Sequence, residues 1–321
     1  MRRLDLVARS LDEARDVDDN RLDELATEAG SEPGADYDLR PTRELVELMS
    51  AEDATVPGAV AAAAGQIAVA IDAIADSLRQ GGRLIYVGAG SSGRIAALDA
   101  SECESTFSTP PGKVVSLLAG GNHASALEQE AAEDDRDAGA ADVAALGLRA
   151  QDVVVGVSAS GRTPYVVAAL ETASAAGART VCVVSVAGSE LEAVVEHPVV
   201  VVVGPEFLAG STRLKAGTAQ KLVLNMLSTI SMIRLGKTFG NLMVDVAATN
   251  EKLRARVRRI VRAATGAESQ EVDAALAASE GDAKVAIVSL LANIGPDEAR
   301  ARLDESGQSI RRTLGHLRSG R

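Results

Sequence analysis

The sequence predicts an α/β protein with a doubly wound, five-stranded parallel sheet, followed by a small C-terminal helical domain. The first observation is five short apolar runs, and strands that are apolar along their whole length are typical of a parallel sheet covered on both faces. The second is that helical patterns lie between these runs, which favours a doubly wound sheet. The third is a series of short helical patterns near the C-terminus, separated by Gly281 and Gly295.

The N-terminal part contains an acidic extension and two predicted helices. Residues 1–26 are acidic and weakly amphipathic, and a loose helix and a disordered tail both remain open for them. Basic residues at the start are not followed by an apolar core, so we expect no secretory signal. A helix is expected to begin near Pro41 and to stop around Ser50. The stretch 50–53 resembles a capping box for a long buried helix over residues 57–80.

The five apolar runs are the predicted strands, and each is bounded by Gly, Pro or charged residues. They are residues 84–87, 114–118, 152–157, 180–184 and 199–203. A long helix over residues 215–235 closes the sheet domain. Further helices are predicted over residues 252–262, 271–278, 283–292 and 296–303. The predicted organisation is an extension (1–26), a sheet domain with N-terminal helices (27–265), and a helical, UBA-like domain (266–321).

Composition excludes several classes of function. The 33 Lys and Arg residues against 45 Asp and Glu give a net charge of −12, so we expect neither nucleic-acid nor membrane binding. Two cysteines, Cys103 and Cys182, are too few for a disulfide framework, and three histidines make a zinc site improbable. No apolar segment is long enough to cross a bilayer. We therefore expect a soluble, cytoplasmic protein without a metal.

Two similar turns follow the first and third predicted strands. Residues 87–94 (VGAGSSGR) and 155–162 (VGVSASGR) both lead from a strand through a Ser/Gly turn to a helix start. Because ligands of parallel sheets bind at the carboxyl ends of the strands, both turns should lie at one edge of the sheet. The sequence therefore predicts the functional site at that edge.

The first turn matches the G-x-G-x-x-G pattern of dinucleotide sites, but the second strand ends in residues 118–121 (LAGG) without the carboxylate that holds a ribose. The turn still has the features of an anion site, since backbone N–H groups at a helix N-terminus bind an anion and hydroxyls add donors. Two hydroxyl-rich turns suit one phosphate on a sugar. The alternative is that the hydroxyls only cap helices. The predicted binding residues are Gly90, Ser91, Ser92, Ser158, Ser160, Gly161 and Thr163.

Carboxylates are abundant near both turns, and their spacing does not identify a catalytic pair. The first group follows the first turn and consists of Asp99, Glu102 and Glu104. The second group follows the second strand and consists of Glu128, Glu130, Glu133 and Asp134. For each of them a solvated helix face is the alternative interpretation.

Five separated motifs carry a resemblance to a known family. They are residues 84–94 (LIYVGAGSSGR), 98–103 (LDASEC), 153–165 (VVVGVSASGRTPY), 215–222 (KAGTAQKL) and 239–245 (FGNLMVD). Together they closely resemble the N-acetylmuramic acid 6-phosphate etherase family of the sugar isomerase (SIS) superfamily. The likeness extends from about Thr27 to the C-terminus.

The resemblance implies a phosphorylated amino-sugar substrate and cleavage of its D-lactyl ether, giving N-acetylglucosamine 6-phosphate and D-lactate. It implies elimination followed by water addition, with no cofactor, in a homodimer whose sites lie near the interface. The family's general acid falls on Glu102 and its second catalytic glutamate on Glu133. We also place Lys215 of the fourth motif among the substrate-binding residues. Two carboxyls suit this chemistry, because one removes the C2 proton and the other protonates the departing ether oxygen.

The sequence also departs from the family. Glu104 and Ser105 stand where many relatives have Pro-Pro, and Glu104 either raises the pKa of Glu102 or takes its role. His123 and Cys103 are further reactive candidates, which we interpret as loop or packing residues. Two alternatives of other classes remain: a SIS-fold sugar-phosphate isomerase and a non-catalytic phosphosugar sensor.

Overall fold

The computed structural model describes residues 36–121, 125–246 and 251–319. The predictions for residues 1–26 and for His123 lie outside the described residues. The helices are α1 (Thr42–Asp53), α2 (Val56–Ala62), α3 (Ala64–Arg79), α4 (Gly90–Phe107), α5 (Ala126–Ala131), α6 (Arg136–Ala145), α7 (Pro164–Ala175), α8 (Glu190–Val194), α9 (Lys215–Arg234), α10 (Glu251–Thr265), α11 (Ser269–Ala278), α12 (Ala283–Ala292), α13 (Pro296–Glu305) and α14 (Ile310–Ser319). The strands are β1 (Leu84–Gly88), β2 (Val114–Leu118), β3 (Val153–Val157), β4 (Arg179–Val184), β5 (His197–Val200), β6 (Thr238–Phe239) and β7 (Leu242–Met243).

The central sheet has five parallel strands in the order β2-β1-β3-β4-β5, which confirms the predicted doubly wound architecture. The strand order reverses between β1 and β3, and this is the point where open α/β sheets bind ligands. The two strands pair with Leu84 opposite Val153 and Gly88 opposite Val157. Their carboxyl ends therefore lie side by side.

Two hydrophobic clusters cover the two faces of the sheet. On one face, Tyr86 and Val155 pack with side chains of α2, α3, α4 and α9. On the other face, Ile85 and Val154 pack with side chains of α6, α7 and α8. Since neighbouring residues of one strand enter different cores, every position of β1 is buried. This double burial is the reason for the continuous apolar runs in the sequence.

The N-terminal helices differ from the prediction. The single helix expected over residues 57–80 is two helices, α2 and α3, and the chain bends by 61° at their junction. Ala63 leaves helical geometry there (φ −86°, ψ 6°), and Gly65, with its low helix propensity, lies two residues later in the first turn of α3. The capping box expected at residues 50–53 is wrong, because Ser50 lies inside α1.

A third hydrophobic cluster forms the C-terminal helical region. Val257 and Ile260 of α10 pack there with residues of α11, α12 and α13 and with Val244, which follows the β6–β7 hairpin. This cluster includes α10, which lies before residue 266; the domain boundary at 266 stays a prediction. The hairpin and α14 were not predicted, because each strand has only two residues and α14 is short and polar.

Asp245 connects this helical unit to the sheet domain. Its Oδ2 atom lies 2.7 Å from Nζ of Lys237 and 3.0 Å from Nζ of Lys284 on α12. The hydroxyl of Ser108, directly after α4, donates to the backbone carbonyl of Asp245.

Within the described residues no single helix is long and apolar enough to span a membrane; the segments Thr42–Ala62 and Ala64–Arg79 reach that length only as a bent pair.

At the amino ends of β1 and β3, Asp152 is a buried carboxylate held by two arginines. Oδ2 accepts from Nη2 of Arg83 at 2.6 Å and from the backbone N–H of Arg149 at 3.0 Å. Oδ1 accepts from the backbone N–H of Arg83 at 2.8 Å. Burial by itself raises the pKa of Asp152, but the hydrogen bonds from Arg83 and Arg149 outweigh it and hold the pKa at about 2.

We predict that Asp152→Asn lowers the free energy of unfolding at neutral pH by about 2–4 kcal/mol, because it leaves two arginines without their buried partner. The folded pKa lies below the unfolded value of about 3.9, so this contribution is present above that pH and is lost as the pH falls toward 2. Denaturant titration of both proteins at several pH values measures the difference. Asp76→Asn, at an exposed pair with Arg79, is the control. An equally small loss for both variants would contradict the prediction.

Candidate active site

The first turn joins β1 to α4 and leaves the start of that helix open. The residue that precedes α4 is Ala89, whose side chain accepts no hydrogen bond, so no side chain caps this helix. Gly90 has a φ of +50°, a left-handed conformation that favours glycine. Ser91 and Ser92 follow it and are half-buried. The alternative that these two serines only cap α4 therefore does not fit the structure, and the N–H groups of the first helical turn are available to an anion.

Two glycines bring α4 close to β1. A Cβ atom on Gly93 would lie 2.4 Å from Cδ1 of Leu118 and 2.6 Å from the carbonyl oxygen of Gly88. A Cβ atom on Gly88 would in turn lie 2.8 Å from Cα of Gly93. Only a residue without a side chain fits at either position. The first turn of α4 is thus fixed directly above the end of β1.

The second turn joins β3 to α7, and its hydroxyls bond to one another and to the backbone. The hydroxyl of Ser158 accepts from the N–H of Gly161 at 3.1 Å and bonds to the Thr163 hydroxyl at 2.9 Å. The hydroxyl of Ser160 accepts from the N–H of Arg162 at 3.3 Å. Ser158 and Thr163 are buried, whereas Ser160 is half-buried. Ser158 therefore shapes the turn, and Ser160 is the more accessible donor.

Glu133 lies between the two turns, in a short 3-10 helix over Ala132–Asp134. Its Oε1 atom accepts a hydrogen bond of 3.2 Å from the Thr163 hydroxyl. Its Oε2 atom lies 3.8 Å from the position that a Cβ atom on Gly90 would occupy. Burial raises the pKa of Glu133 above its ordinary value; the Thr163 hydrogen bond opposes this effect, and neighbouring Asp134 adds to it. A carboxyl with a raised pKa beside an anion-binding turn is suited to acid–base chemistry.

Glu102 is on the same helix as the first turn but far from it. It lies roughly 18 Å along the axis of α4 from Gly90, and it is exposed. Within one chain the structure therefore does not bring Glu102 together with Glu133. Glu102 instead lines a cavity of about 200 Å³ between α4 and α9, together with Ile95, Leu98, Asp99, Lys221, Leu224 and Asn225.

A polar network beneath this cavity was not found from the sequence. The hydroxyl of the buried Tyr86 donates to Oδ2 of Asp99 at 2.9 Å, and the hydroxyl of Ser228 donates to Oδ1 at 3.1 Å. In the amide orientation that satisfies both partners, Asn225 donates to Oδ1 of Asp99 at 3.1 Å and accepts from Nζ of Lys221 at 2.7 Å. Burial raises the pKa of Asp99. The helical spacing of Lys221, Asn225 and Ser228 is the one signal in the sequence that marks this face of α9.

The other candidates from the sequence have different surroundings. Glu128 forms the capping box of α5 with Ser125. Glu104 is exposed and lines a separate groove between α4 and the loop before β2. Cys103 is buried, and burial raises the pKa of its thiol to about 12, so it is a packing residue as expected. Among the described residues, no group of three or more His, Cys, Asp or Glu side chains could hold a metal ion.

Lys215 is buried at the start of α9, and its amine lies 2.5 Å from Oε2 of Glu52. The backbone N–H groups of Lys215 and Ala216 donate to the carboxylate of Glu206 at 2.8 and 3.0 Å. Glu52 and Glu206 therefore hold the fourth motif, which begins α9, in place. A role for Lys215 in binding the substrate stays a prediction. It requires the amine either to bind the substrate while it stays paired with Glu52 or to break that ion pair.

Two family models match the chain: one described as the glucokinase regulatory protein N-terminal SIS domain, over residues 66–174, and one described as the SIS domain, over residues 136–230. A protein of Rubrobacter xylanophilus named N-acetylmuramic acid 6-phosphate etherase is 58% identical over 94% of this chain and 99% of its own length. A protein of Escherichia coli strain 536 with the same name is 51% identical over 92% of this chain and 99% of its own. Among solved structures, a phosphoheptose isomerase from Neisseria gonorrhoeae aligns with a TM-score of 0.47 and 20% identity, over 60% of this chain and 98% of its own.

The raised pKa of Glu133 predicts a pH-dependent effect on stability. A carboxyl whose pKa is higher in the folded state binds its proton more tightly there, so ionisation destabilises the fold as the pH rises above the unfolded value of about 4.3. We expect Glu133→Gln to have a higher Tm than the wild type at about pH 8, and the difference to shrink toward about pH 4. Thermal unfolding at both pH values measures this, with the exposed Glu130→Gln as the control. A difference that does not change with pH would contradict it.

Proposed function

The chain belongs to the N-acetylmuramic acid 6-phosphate etherase family, and on that basis we propose how its residues divide the work of the reaction. The protein is a lyase of cell-wall amino-sugar recycling that acts on the C–O ether bond of N-acetylmuramic acid 6-phosphate. This function was expected from the five motifs. The main support for the roles assigned to individual residues is the position of the Glu133 carboxylate. One of its oxygens bonds to Thr163 of the second turn, and the other lies beside Gly90 of the first turn.

The two turns together bind the substrate's phosphate. The uncapped first turn of α4 offers backbone N–H groups, and Ser91 and Ser92 add hydroxyl donors. Ser160, the accessible hydroxyl of the second turn, donates from the neighbouring strand end. Gly90 and Gly161 have positive φ angles of 50° and 67°. The missing side chain leaves space beside Glu133 at Gly90, whereas at Gly161 it allows the turn to pack against Ser189.

Glu133 is the base that removes the C2 proton. Opening of the sugar to its aldehyde makes this proton acidic, and a carboxylate with a raised pKa is a stronger base than an ordinary one. Thr163 fixes one carboxylate oxygen, so the other is directed at the space beside Gly90, where the phosphate turn holds the sugar. The C3 ether oxygen departs next, and it is a poor leaving group unless a second carboxyl protonates it.

Glu102 supplies that proton from a second copy of the chain. Roughly 18 Å of helix separate it from the phosphate turn of its own chain, which exceeds the distance between the phosphate and C3 of one hexose. A homodimer that places α4 of one copy over the turns of the other brings Glu102 and Glu133 to one site. Water then adds to C3 of the unsaturated intermediate and restores the hydroxyl.

An apolar surface beside Glu102 supports this homodimer. Large apolar side chains are exposed on the outer sides of α3, α4 and α9: Val69, Leu98, Met226, Ile230 and Ile233. In addition, α1 buries no residue although it contains Leu45, Val46, Leu48 and Met49. Exposed apolar side chains on several neighbouring helices are typical of an interface, and a twofold axis would cover the same patch on both copies. A cytoplasmic location is part of the proposal, and the free, buried Cys103 and Cys182 support it because disulfides are rare in that compartment.

Removing single hydroxyls tests the phosphate assignment. We predict that Ser92→Ala and Ser160→Ala each weaken substrate binding by about 1–3 kcal/mol, or roughly 5–150-fold in KM, because each removes a hydrogen bond to a charged group. Neither is expected to lower the Tm much. Ser174→Ala, an exposed serine at the far end of α7, is the matched control. Normal binding by both variants would show that the turns serve another purpose.

Isotope exchange separates the two glutamates. In D₂O with ¹⁸O-labelled water, the wild type should yield N-acetylglucosamine 6-phosphate with deuterium at C2 and the label at C3. We predict that Glu133→Gln loses both deuterium exchange and lactate release, because the base is missing. Glu102→Gln should lose lactate release while slow C2 exchange persists. Glu104→Gln, an exposed neighbour on α4, should behave as the wild type. Lactate release that survives both substitutions would overturn the assignment.

Hybrid dimers test whether Glu102 acts across the interface. Dimers of Glu102→Gln alone or of Glu133→Gln alone are expected to be inactive. A hybrid dimer contains one copy of each variant. If each site takes Glu133 from one copy and Glu102 from the other, one of its two sites has both glutamates. Random mixing should therefore restore about a quarter of the wild-type lactate release, since half the dimers are hybrid and one of their two sites is intact. If both glutamates of a site belong to one chain, mixing restores nothing.

A further inference from the structure

The cavity that Glu102 lines has features that the reaction steps above do not use. One wall is apolar and consists of Ile95 and Leu98 of α4 and Leu224 of α9. The remaining lining side chains are polar, and Lys221 is the one cation among them. The cavity of about 200 Å³ is large enough for a few heavy atoms of a ligand. It therefore combines an apolar wall, a cation and two carboxyl groups, those of Asp99 and Glu102.

Lys221 is held in a defined position. Its Nζ atom donates to the side-chain oxygen of Asn225 at 2.7 Å, and the amide nitrogen of Asn225 donates to Asp99 at 3.1 Å. Asp99 is fixed in turn by the hydroxyls of Tyr86 and Ser228. An ammonium group has three donors, so after the bond to Asn225 it retains donors for a ligand. The network thus anchors the ammonium group at the cavity through the buried Tyr86.

The lactyl group of the substrate matches these features. The carbon next to the ether oxygen carries a methyl group and a carboxylate, so both lie within two bonds of the oxygen that must be protonated. A carboxyl that protonates this oxygen necessarily lies beside the lactyl group. Glu102 is neutral when it acts as the acid, and both oxygens of Asp99 already accept hydrogen bonds. A lactyl carboxylate in this cavity would therefore meet Lys221 as its charge partner.

We propose that this cavity is the lactyl subsite, in which Lys221 binds the lactyl carboxylate while Ile95, Leu98 and Leu224 surround the methyl group. The proposal rests on the proposed role of Glu102 as the proton donor. It gives the enzyme a direct means of selecting a lactyl ether over other 3-O substituents. Lys221 is exposed in the single chain, and a substituent without the carboxylate would lose the charge-assisted hydrogen bond to its ammonium group.

The test compares two substrates in wild type and Lys221→Met. One is N-acetylmuramic acid 6-phosphate, and the other is its analogue in which a hydroxymethyl group replaces the lactyl carboxylate. Lys221→Met should lower kcat/KM for ether cleavage of the first about 10–100-fold and leave that of the analogue unchanged. Lys221→Arg keeps the charge and should retain most of the preference. Lys252→Met, an exposed lysine on α10, is the matched control and should change neither value.

A second measurement shows whether the rest of the site is intact. N-acetylglucosamine 6-phosphate has no lactyl group, so its C2 deuterium exchange in D₂O should be the same in Lys221→Met and wild type. Equal losses for both ethers, or loss of C2 exchange in the variant, would overturn the subsite, because Lys221 would then act on the sugar or on the fold. An unchanged preference for the carboxylate would overturn it as well. If the wild type shows no C2 exchange, this result counts against Glu133 as the base. The ratio of the kcat/KM values for the two ethers tests Lys221, and it does not depend on which glutamate is the base.

Discussion

The parallel pairing of β1 with β3 is the contact on which the site depends. Because Gly88 lies opposite Val157, the turns after the two strands meet at one point of the sheet edge. The absence of side chains at Gly88 and Gly93 then fixes the first turn of α4 above this point. Glu133 comes from a third segment and contacts both turns. A shift of one residue in this pairing would separate the turns and leave Glu133 without Thr163.

In the proposed site, an acidic protein binds the phosphate through backbone dipoles and hydroxyls rather than through cations. The predicted ligands are N–H groups and hydroxyls, and the amine of Lys215 is engaged by Glu52. Uncharged donors stabilise the phosphate but add no full positive charge. A phosphate dianion bound as proposed would therefore add to the effect of burial on Glu133, and both would favour the protonated form of its carboxyl. Substrate binding and the tuning of the base are thus coupled through charge.

The sheet could be predicted from the sequence because its strands are buried on both faces, and this leaves a continuous apolar signal. The break at Ala63 could not, because alanines favour a helix on both sides of it and Gly65 lies within α3, so that this glycine does not mark the boundary. The motifs indicated both glutamates, yet no local pattern encodes that about 18 Å of α4 lie between Glu102 and the phosphate turn of its own chain. Likewise, the spacing of Lys221 and Asn225 is visible in the sequence, but their link to Asp99 exists only after α4 and α9 pack together.

Asp245 has a consequence for how this chain can be divided. One carboxylate forms ion pairs with both Lys237 of the sheet domain and Lys284 of the helical unit, and Lys284 is buried. A shortened protein that ended after α9 would lose the carboxylate and with it the anchor that Ser108 gives to the end of α4. A transplanted helical unit without residues 237–245 would carry a buried ammonium group with no counter-ion. The two units are therefore physically interdependent and are not interchangeable modules.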